Sequence, residues 1–270
     1  MTEKICAVDL GMPTLLEAAG AEESAALCAE LGLQFVELNM NLPEYADPAH
    51  MDREKLCALR EKYGVYFTLH LDERLDGCDF NPLVRNAYQE TLRRALELAQ
   101  EAEMPIVNLH LNHGVYFTLP GKKTYLYAER REEYLQHIDE MRRIGEEGAD
   151  ENIALCVENT DGFLAQEKKA LDLLMKSKRW GLTLDVGHMH SAGYVDDDVY
   201  IVHSGKLRHM HLHDALLMQA GQCHLPLGEG NLDWRDSLRT AETRHCRAVI
   251  EVKTLSALRD SVKTLREAGK

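Results

Sequence analysis

Eight short runs of β-type sequence alternate with longer amphipathic stretches along the chain. Within a run, apolar and polar residues alternate, as in FVELN (35–39) and IVNLHL (106–111). The eight runs are 5–10, 35–39, 66–71, 106–111, 154–159, 181–186, 207–213 and 248–253. Because successive side chains of a strand point to opposite faces, each run predicts a strand with one apolar and one polar face.

The stretches between these runs have the apolar spacing of helices that bury one face. The clearest of them are 22–32, 51–64, 86–102, 130–148 and 165–178. Gly32, Gly64 and Gly148 stand at the ends of three of these stretches, where helices often need glycine. Strands that alternate with helices predict a parallel sheet, and eight such units are the number that closes a (β/α)₈ barrel.

The polar faces of the runs favour a closed barrel over an open, doubly wound sheet. Strands buried in an open parallel sheet are apolar on both faces. Here seven of the eight runs carry a carboxylate, imidazole or amide on one face, mostly near the C-terminal end, and the first run would join them through Asp9. Such barrels build their active sites at that end. We therefore predict an α/β, single-domain (β/α)₈ TIM barrel over residues 1–270, with a site at its C-terminal mouth.

Composition and charge narrow the classes of function. The chain of 270 residues is 45% hydrophobic, which is enough for one large core, and carries a net charge of −14 without any basic run. This charge disfavours nucleic acid and anionic membranes as partners. Seven widely spaced cysteines without a CxxC predict free thiols. No signal peptide or apolar run near the roughly 18 residues of a membrane span is visible, so we expect a cytoplasmic protein.

Four inward-facing residues on the last four runs are of types that bind divalent metals: Glu158, Asp185, His211 and Glu251. One imidazole and three carboxylates suit Mn²⁺, Mg²⁺ or Zn²⁺. Without a cation, three converging carboxylates would repel one another strongly. Further side chains of ligand type lie on neighbouring runs and in the loops that follow them: His70, His110, His188 and His224.

Each of these residues also has a simpler explanation when it is taken alone. A single strand histidine is usually a hydrogen-bonded core residue, and a carboxylate at a strand end often caps the next helix. The metal hypothesis therefore rests on the number of polar residues on successive strands, since burying them is costly. The remaining histidines are expected to be structural, supporting or surface groups, with His213 the strongest rival of His211: His113, His190, His209, His213 and His245.

Three weaker features have two interpretations each. The long segment 112–135 carries the aromatic residues Tyr116, Phe117, Tyr125 and Tyr127 and would form a lid, an oligomer surface or a packed surface loop. The GEGN sequence at 228–231 resembles a tight turn near a ligand, although glycine pairs alone are poor evidence. Lys253 would hold a substrate phosphate or carboxylate, or would simply be exposed.

Five motifs in a fixed order resemble the xylose-isomerase-like TIM barrel superfamily: VENT (157–160), TLDVGHMHSAG (183–193), HLHD (211–214), HLPLGEGN (224–231) and IEV (250–252). This superfamily includes sugar and ketose epimerases, inositol-catabolism isomerases and endonuclease IV. The resemblance spans nearly the whole chain. In the epimerase branch it implies one Mn²⁺ or similar ion, with a ligand set that matches Glu158, Asp185, His211 and Glu251.

The endonuclease IV branch implies three Zn²⁺ ions, with additional ligands that match His70, His110, His188 and His224. That branch also has an aspartate two residues before the last of these histidines, and here Gln222 stands at that position. The departure removes one carboxylate ligand. It therefore counts against a third metal and against phosphodiester cleavage.

These observations predict a metal-dependent isomerase or epimerase of a small sugar, polyol or hydroxy-carbonyl compound, acting through an enediolate. Glu158 and Glu251 would be the acid–base pair, His188 would bind or polarise the substrate, and His70 and His110 would contact sugar hydroxyls or a second metal. Mn²⁺ or Zn²⁺ is the expected cofactor, with Mg²⁺ or Co²⁺ as alternatives. A multi-zinc phosphodiester hydrolase and a non-catalytic metal- or sugar-binding barrel are the alternative functions. The sequence does not distinguish a monomer from a homo-oligomer.

Overall fold

Eight parallel strands close into a barrel in the computed structural model, which describes residues 5–18, 20–219 and 221–268. The barrel strands, in chain order, are β1 (Leu10–Pro13), β2 (Phe35–Asn39), β3 (Tyr66–His70), β4 (Ile106–His110), β7 (Ala154–Glu158), β8 (Trp180–Asp185), β9 (Leu207–Leu212) and β10 (Arg247–Ile250). Two further strands, β5 (Tyr116–Leu119) and β6 (Lys122–Tyr125), form an antiparallel hairpin outside the barrel. The predicted (β/α)₈ barrel is therefore confirmed, and the open sheet is excluded.

Ten α-helices lie between and after the strands in the described part of the chain: α1 (Ala21–Glu30), α2 (Arg53–Tyr63), α3 (Pro82–Glu101), α4 (Leu126–Glu129), α5 (Arg131–Gly148), α6 (Ala165–Leu174), α7 (Val186–Ser191), α8 (Asp197–Val202), α9 (Trp234–Arg244) and α10 (Leu255–Ala268). Helix α2 shows the expected ends, since the Asp52 side chain accepts from Lys55 N and Gly64 adopts a left-handed conformation with φ 67°. Gly148, by contrast, is still helical, and the chain leaves α5 at the extended Ala149.

The apolar faces of the strands lie between the barrel and the surrounding helices, as the alternation predicts. Val36, Leu38, Leu69 and Leu155 are fully buried there. The opposite faces fill the barrel with polar side chains, which are also inaccessible to solvent: Glu37, Thr68, Asn108, Thr183 and His209. Burying this many polar groups requires that they satisfy one another, so the interior of the barrel already has the chemistry of a site.

The first strand differs from its prediction. Strand pairing begins at Leu10, which pairs with Ala248, whereas residues 5–8 form bends before the strand. The actual strand LGMP contains glycine and proline, which weaken a β-type pattern, and this explains the misplaced boundary. Asp9 consequently lies at the N-terminal end of the barrel, where its Oδ2 accepts from Tyr66 Oη at 3.0 Å. Its proposed place at the C-terminal mouth is wrong.

The long segment after β4 contains the β5–β6 hairpin. Tyr116 and Phe117 are exposed on the hairpin, whereas Tyr127 is buried and stacks on Tyr134 with ring centroids 4.4 Å apart. The segment is therefore anchored by a packed base and has an exposed tip.

Two further findings concern the described residues as a whole. None of their helices has the length and apolar character needed to cross a membrane. No disulfide bond joins any of the cysteines among them, as the spacing of the cysteines predicts.

Candidate metal centre at the barrel mouth

Four ligand-type side chains meet where the last four barrel strands end. Glu158 and Asp185 are the last residues of β7 and β8, His211 lies near the end of β9, and Glu251 directly follows β10. Each side chain offers a possible ligand atom, and all four atoms lie within 4.8 Å of one another. Parallel strands in register bring these positions together, since Asp185 pairs with His211 and His211 with Val249.

One nitrogen of His211 lies among the three carboxylates. Its Nδ1 is 3.1 Å from Glu158 Oε1, 3.0 Å from Glu251 Oε2 and 3.9 Å from Asp185 Oδ2. The side chains of His211 and Asp185 are completely buried, and that of Glu158 nearly so. Three carboxylates around one point, shielded from water, form a strong site of negative potential.

The charges of this cluster balance through the imidazoles. Burial alone would raise the pKa of Glu158 and of Glu251. The positive charge of His211 outweighs burial and holds both pKa values well below the ordinary value. Burial alone would lower the pKa of His211, but the surrounding glutamates hold it well above its ordinary value. Burial also lowers the pKa of His70 and of His188. Neighbouring carboxylates outweigh it and raise the pKa of His70 to about 9 and that of His188 to about 10. Protons on imidazoles thus supply the positive charge that the carboxylates require.

Unpartnered buried atoms indicate that the residues also fit a cation. His110 Nε2, His188 Nδ1 and Glu251 Oε2 are buried and make no hydrogen bond of good geometry within the described part of the chain, although His110 Nε2 lies 3.3 Å from Glu158 Oε2 and Glu251 Oε2 lies 3.0 Å from His211 Nδ1. A buried polar atom without a partner costs about 1–3 kcal/mol. A divalent ion coordinated by a carboxylate oxygen and imidazole nitrogens would remove part of this cost. Three carboxylates and an imidazole are also ligand types that Mn²⁺ and Zn²⁺ accept.

A second group of ligand types adjoins the first and shares Glu158 with it. The Nε2 atoms of His70 and His110 each lie 3.3 Å from Glu158 Oε2. His70 Nδ1 lies 2.8 Å from the carbonyl oxygen of Leu71, which leaves Nε2 as the ring nitrogen that faces Glu158. The two oxygens of Glu158 thus face different groups, with Oε1 toward His211 and Oε2 toward His70 and His110.

A third group contains His188, His213 and His224, whose ligand atoms also lie within 4.8 Å of one another. The Nε2 atoms of His188 and His224 face each other at 3.2 Å. His224 Nδ1 lies 3.1 Å from the backbone oxygen of Glu251, which connects this group to the four-residue centre. Gln222 is exposed and is not part of the group.

Glu37 lies below the centre inside the barrel, and its role is not apparent from the sequence. Its Oε1 is 2.8 Å from His211 Nε2, and its Oε2 accepts from Thr68 Oγ1 at 3.0 Å and lies 2.9 Å from His209 Nε2. Glu37 therefore supports the face of His211 that points away from the three carboxylates. The polar alternation of FVELN placed Glu37 inside the barrel, but no local signal shows which side chains meet it.

The remaining polar residues have mainly structural contacts. His113 Nδ1 lies 2.7 Å from Glu167 Oε1, and His190 contacts Tyr194 Oη and Asn231 Oδ1. His245 ends α9 in a left-handed conformation. Lys253 is mostly exposed, with its Nζ 3.3 Å from Glu251 Oε1 at the edge of the mouth.

Comparison with known proteins gives results that agree with this architecture. The sequence model of a family described as xylose isomerase-like TIM barrel matches residues 25–268. An uncharacterized protein of Methanocaldococcus jannaschii is 27% identical over 217 residues, which cover 77% of this chain and 71% of that protein.

Two solved structures share the fold over nearly the whole chain. A D-tagatose 3-epimerase-like protein is 24% identical with a TM-score of 0.75, and the match covers 96% of both chains. An IOLI protein with a binding zinc atom is 14% identical with a TM-score of 0.72, and the match covers 97% of this chain and 96% of that one.

Proposed function

Since the chain belongs to the xylose isomerase-like TIM barrel family, we propose that it is a divalent-metal-dependent isomerase or epimerase of a small sugar or related hydroxy-carbonyl compound. The observation that carries the proposal is the convergence of four ligand types from four successive strands within 4.8 Å. The similarity to a D-tagatose 3-epimerase-like fold and to a zinc-binding IOLI protein supports it.

The ion would be held by four side chains at the mouth: Glu158, Asp185, His211 and Glu251. When bound, a divalent ion polarises a substrate carbonyl and its neighbouring hydroxyl, which acidifies the hydrogen on the carbon between them. Glu37 would orient His211 from below, because a carboxylate at the far nitrogen fixes the ring and the tautomer of a metal-binding histidine. Mn²⁺ or Zn²⁺ would serve, with Mg²⁺ or Co²⁺ as further possibilities.

Glu158 and Glu251 are suited to move the proton. Each glutamate has one oxygen at the centre and one pointing away from it, toward His70 and His110 for Glu158 and toward Lys253 for Glu251. A glutamate that binds the ion through one oxygen can accept the proton on the other oxygen and return it. A base on each side of an enediolate would change the configuration at the carbon. His188 and His70 would donate to substrate oxygens.

The test uses protein stripped with EDTA and reloaded with Mn²⁺, Co²⁺, Mg²⁺ or Zn²⁺. Ketoses and inososes are incubated in D₂O, and NMR records deuterium entering the carbon beside the carbonyl. We expect metal-dependent exchange with at least one substrate. In Glu158→Gln the amide cannot accept the proton, so turnover should fall by roughly 10²–10⁴-fold while Mn²⁺ still binds.

Glu61→Gln is the matched control, because it makes the same chemical change at an exposed glutamate in α2. This variant should keep full exchange. Full activity in Glu158→Gln would refute the role of Glu158 as a base. No exchange with any substrate in the metal-loaded wild type would contradict the proposed reaction.

A multi-zinc phosphoester hydrolase is the second candidate. It is favoured by the two histidine groups beside the centre, one of which shares Glu158. The exposed position of Gln222 argues against the hydrolase, since this side chain supplies no ligand to the histidine groups. Counting zinc ions by native mass spectrometry separates the two functions: three tightly held ions favour the hydrolase and one favours the isomerase.

A further inference from the structure

His213 occupies an unusual place beside the centre, directly after β9. Its side chain is completely buried, and its Nε2 lies 2.9 Å from Asp185 Oδ1 and 3.1 Å from Oδ2. On the other side of the ring, the backbone N–H of His224 donates to His213 Nδ1 at 2.8 Å. The imidazole therefore joins a candidate metal ligand to the loop after β9.

These two contacts fix the tautomer of the ring. His213 Nδ1 also lies 3.2 Å from the Asp214 carbonyl oxygen, but its shorter contact is with the His224 N–H. A ring nitrogen that accepts an N–H carries no proton of its own, so the proton of the neutral imidazole is on Nε2. From Nε2 it is donated to the Asp185 carboxylate. With both nitrogens in use, His213 has no electron pair left for a metal ion. Its arrangement is that of a group that orients a ligand.

The His213 ring occupies the space that Gly187 leaves by having no side chain. A Cβ added at Gly187 would stand 1.9 Å from His213 Cε1, so any side chain at position 187 would displace the imidazole. Gly187 lies in the first turn of α7, whose N-cap is Asp185, since Asp185 Oδ1 also accepts from His188 N at 2.7 Å. The end of β8, the start of α7 and the loop after β9 thus meet at one ring.

We propose that His213 is a positioning residue that couples metal occupancy at Asp185 to the conformation of the segment 221–232. This inference rests on the proposed metal centre, because it requires Asp185 to be a ligand. The segment holds His224 at the mouth with φ 57°, a conformation that needs support from its surroundings. Asp214 anchors the far end of the segment by accepting from Gly228 N and Leu232 N. One link from the segment to Asp185 passes through His213, and a second runs from His224 Nε2 to His188 Nε2, with His188 N–H donating to Asp185 Oδ1.

Coupling of this kind works in both directions. An ion that holds the Asp185 carboxylate in one orientation favours the ring position that receives His224 N–H. A segment held by the ring in turn keeps Asp185 oriented for the ion. Loss of an outer partner of a metal ligand typically weakens metal binding by about 10–100-fold.

Two substitutions separate the functions of the two ring nitrogens. In His213→Asn the side-chain oxygen can replace Nδ1 as the acceptor for His224 N–H, but nothing reaches Asp185. In His213→Gln the amide nitrogen can replace Nε2 as the donor to Asp185, but the acceptor for His224 N–H is lost. His137→Asn is the control, because His137 is also buried but lies on α5, with its Nδ1 3.1 Å from the Cys78 carbonyl oxygen and its ring against Phe80.

Two measurements use the full-length protein and Mn²⁺ alone as the probe. Calorimetry gives the Mn²⁺ affinity, and hydrogen–deuterium exchange follows peptides that cover 221–232 with and without Mn²⁺. We expect Mn²⁺ to slow exchange in this segment of the wild type and of His137→Asn. His213→Asn should bind Mn²⁺ about 10–100-fold more weakly. His213→Gln should bind more tightly than His213→Asn but lose the slowing.

Gly187→Ala provides an independent test that keeps histidine at position 213 and moves its ring. Because the added methyl displaces the ring, this variant should lose Mn²⁺ affinity as His213→Asn does. Adding Gly187→Ala to His213→Ala should cost no further affinity, since the two changes act through one contact. A purely structural role of Gly187 would instead give additive losses.

The outcomes distinguish the two levels of the proposal. If the wild type binds no Mn²⁺, Co²⁺ or Zn²⁺, the metal centre itself is wrong. If the wild type binds Mn²⁺ while His213→Asn and Gly187→Ala bind it equally well, the positioning role of His213 is overturned. Should His213→Asn fail to fold, Gly187→Ala decides the question.

Discussion

Glu37 lies inside the barrel below the mouth and supports the candidate metal centre through its contact with His211. Its carboxylate is buried and lies close to three groups, Thr68 Oγ1, His209 Nε2 and His211 Nε2, at 2.8–3.0 Å. Burial would raise the pKa of Glu37, but the charge of His211 and His209 lowers it far below its ordinary value. Glu37 is therefore an anion inside the barrel, held there by its neighbours.

Glu37→Gln should weaken both the fold and the metal centre. The amide nitrogen of glutamine cannot accept a hydrogen bond, so at least one buried donor loses its partner, at a cost of about 1–3 kcal/mol. His211 also loses the carboxylate that fixes its ring, and Mn²⁺ affinity should fall by about 10–100-fold. Urea denaturation and Mn²⁺ calorimetry measure the two effects.

Thr68→Val separates these effects, since it removes one donor to Glu37 and leaves His211 untouched. We expect it to change the free energy of unfolding with little change in Mn²⁺ affinity. An unchanged affinity in Glu37→Gln would mean that His211 does not need the carboxylate below it.

The sequence pattern located the residues of the centre but not their mutual contacts. Glu158, Asp185 and His211 could be predicted because period-two alternation places them on the inner face and parallel strands share one end. His209, His211 and His213 occupy the same face, so alternation alone could not distinguish their functions. That distinction depends on which partner each ring contacts, such as Glu37 across the barrel for His209 and Asp185 on the neighbouring strand for His213.

Among the secondary-structure elements, the strands were more predictable than the helices near the mouth. FVELN coincides with β2, whereas helix α7 begins directly after β8 in a sequence that continues its apolar pattern. Helix α7 has only six residues, which is too short to show a helical period. Its start is fixed locally, by the Asp185 carboxylate that caps it by accepting from His188 N. The first strand was misplaced because its glycine and proline lack β-type character.

Helix α5 packs on the barrel through a glycine. A Cβ at Gly145 would lie 2.5 Å from Trp180 Nε1 and 3.3 Å from Leu155 Cδ1. Trp180 is fully buried at the start of β8, and its indole N–H donates to the Arg142 carbonyl oxygen at 3.3 Å. The absence of a side chain at position 145 thus allows the helix to approach the strand.

Gly145→Ala should therefore destabilise the protein. Overpacking costs about 1–3 kcal/mol, which exceeds or matches the ~1 kcal/mol that alanine gains in helix propensity. We expect a lower Tm in calorimetry and unchanged Mn²⁺ affinity, since the contact is at the far end of β8. Gly205→Ala is the control, because an added Cβ meets no atom within 4 Å there. An equal Tm for both variants would contradict the packing argument.

The protein as a whole has to keep many carboxylates ionised while its net charge is −14. Most of them are exposed or paired, but Asp76 is largely buried outside the candidate metal centre, and burial raises its pKa to about 6. Its Oδ2 accepts from Tyr127 Oη at 2.8 Å and its Oδ1 from Cys78 N at 3.1 Å. This carboxyl group connects the loop after β3 to the base of the β5–β6 segment.

The raised pKa makes Asp76 a source of pH-dependent stability with a definite sign. Below its ordinary pKa of 3.8, Asp76 is protonated in both the folded and the unfolded chain and costs nothing. As pH rises through about 6, the folded state must ionise a group that the unfolded state ionises more readily, and stability is lost. A shift of about two units corresponds to about 3 kcal/mol.

Asp76→Asn should remove this dependence, because asparagine resembles the protonated carboxyl group in shape and can still meet both partners. The stability of Asp76→Asn relative to wild type should rise by about 2–3 kcal/mol between pH 4 and pH 7, measured by urea denaturation at intervals of pH. Subtracting the two curves removes the repulsion that the remaining negative charges cause. Tyr127→Phe should act in the opposite direction, since the lost hydrogen bond raises the pKa of Asp76 further and moves the loss of stability to higher pH. Parallel curves for wild type and Asp76→Asn would show that Asp76 ionises equally well in both states, and burial would then not govern its titration.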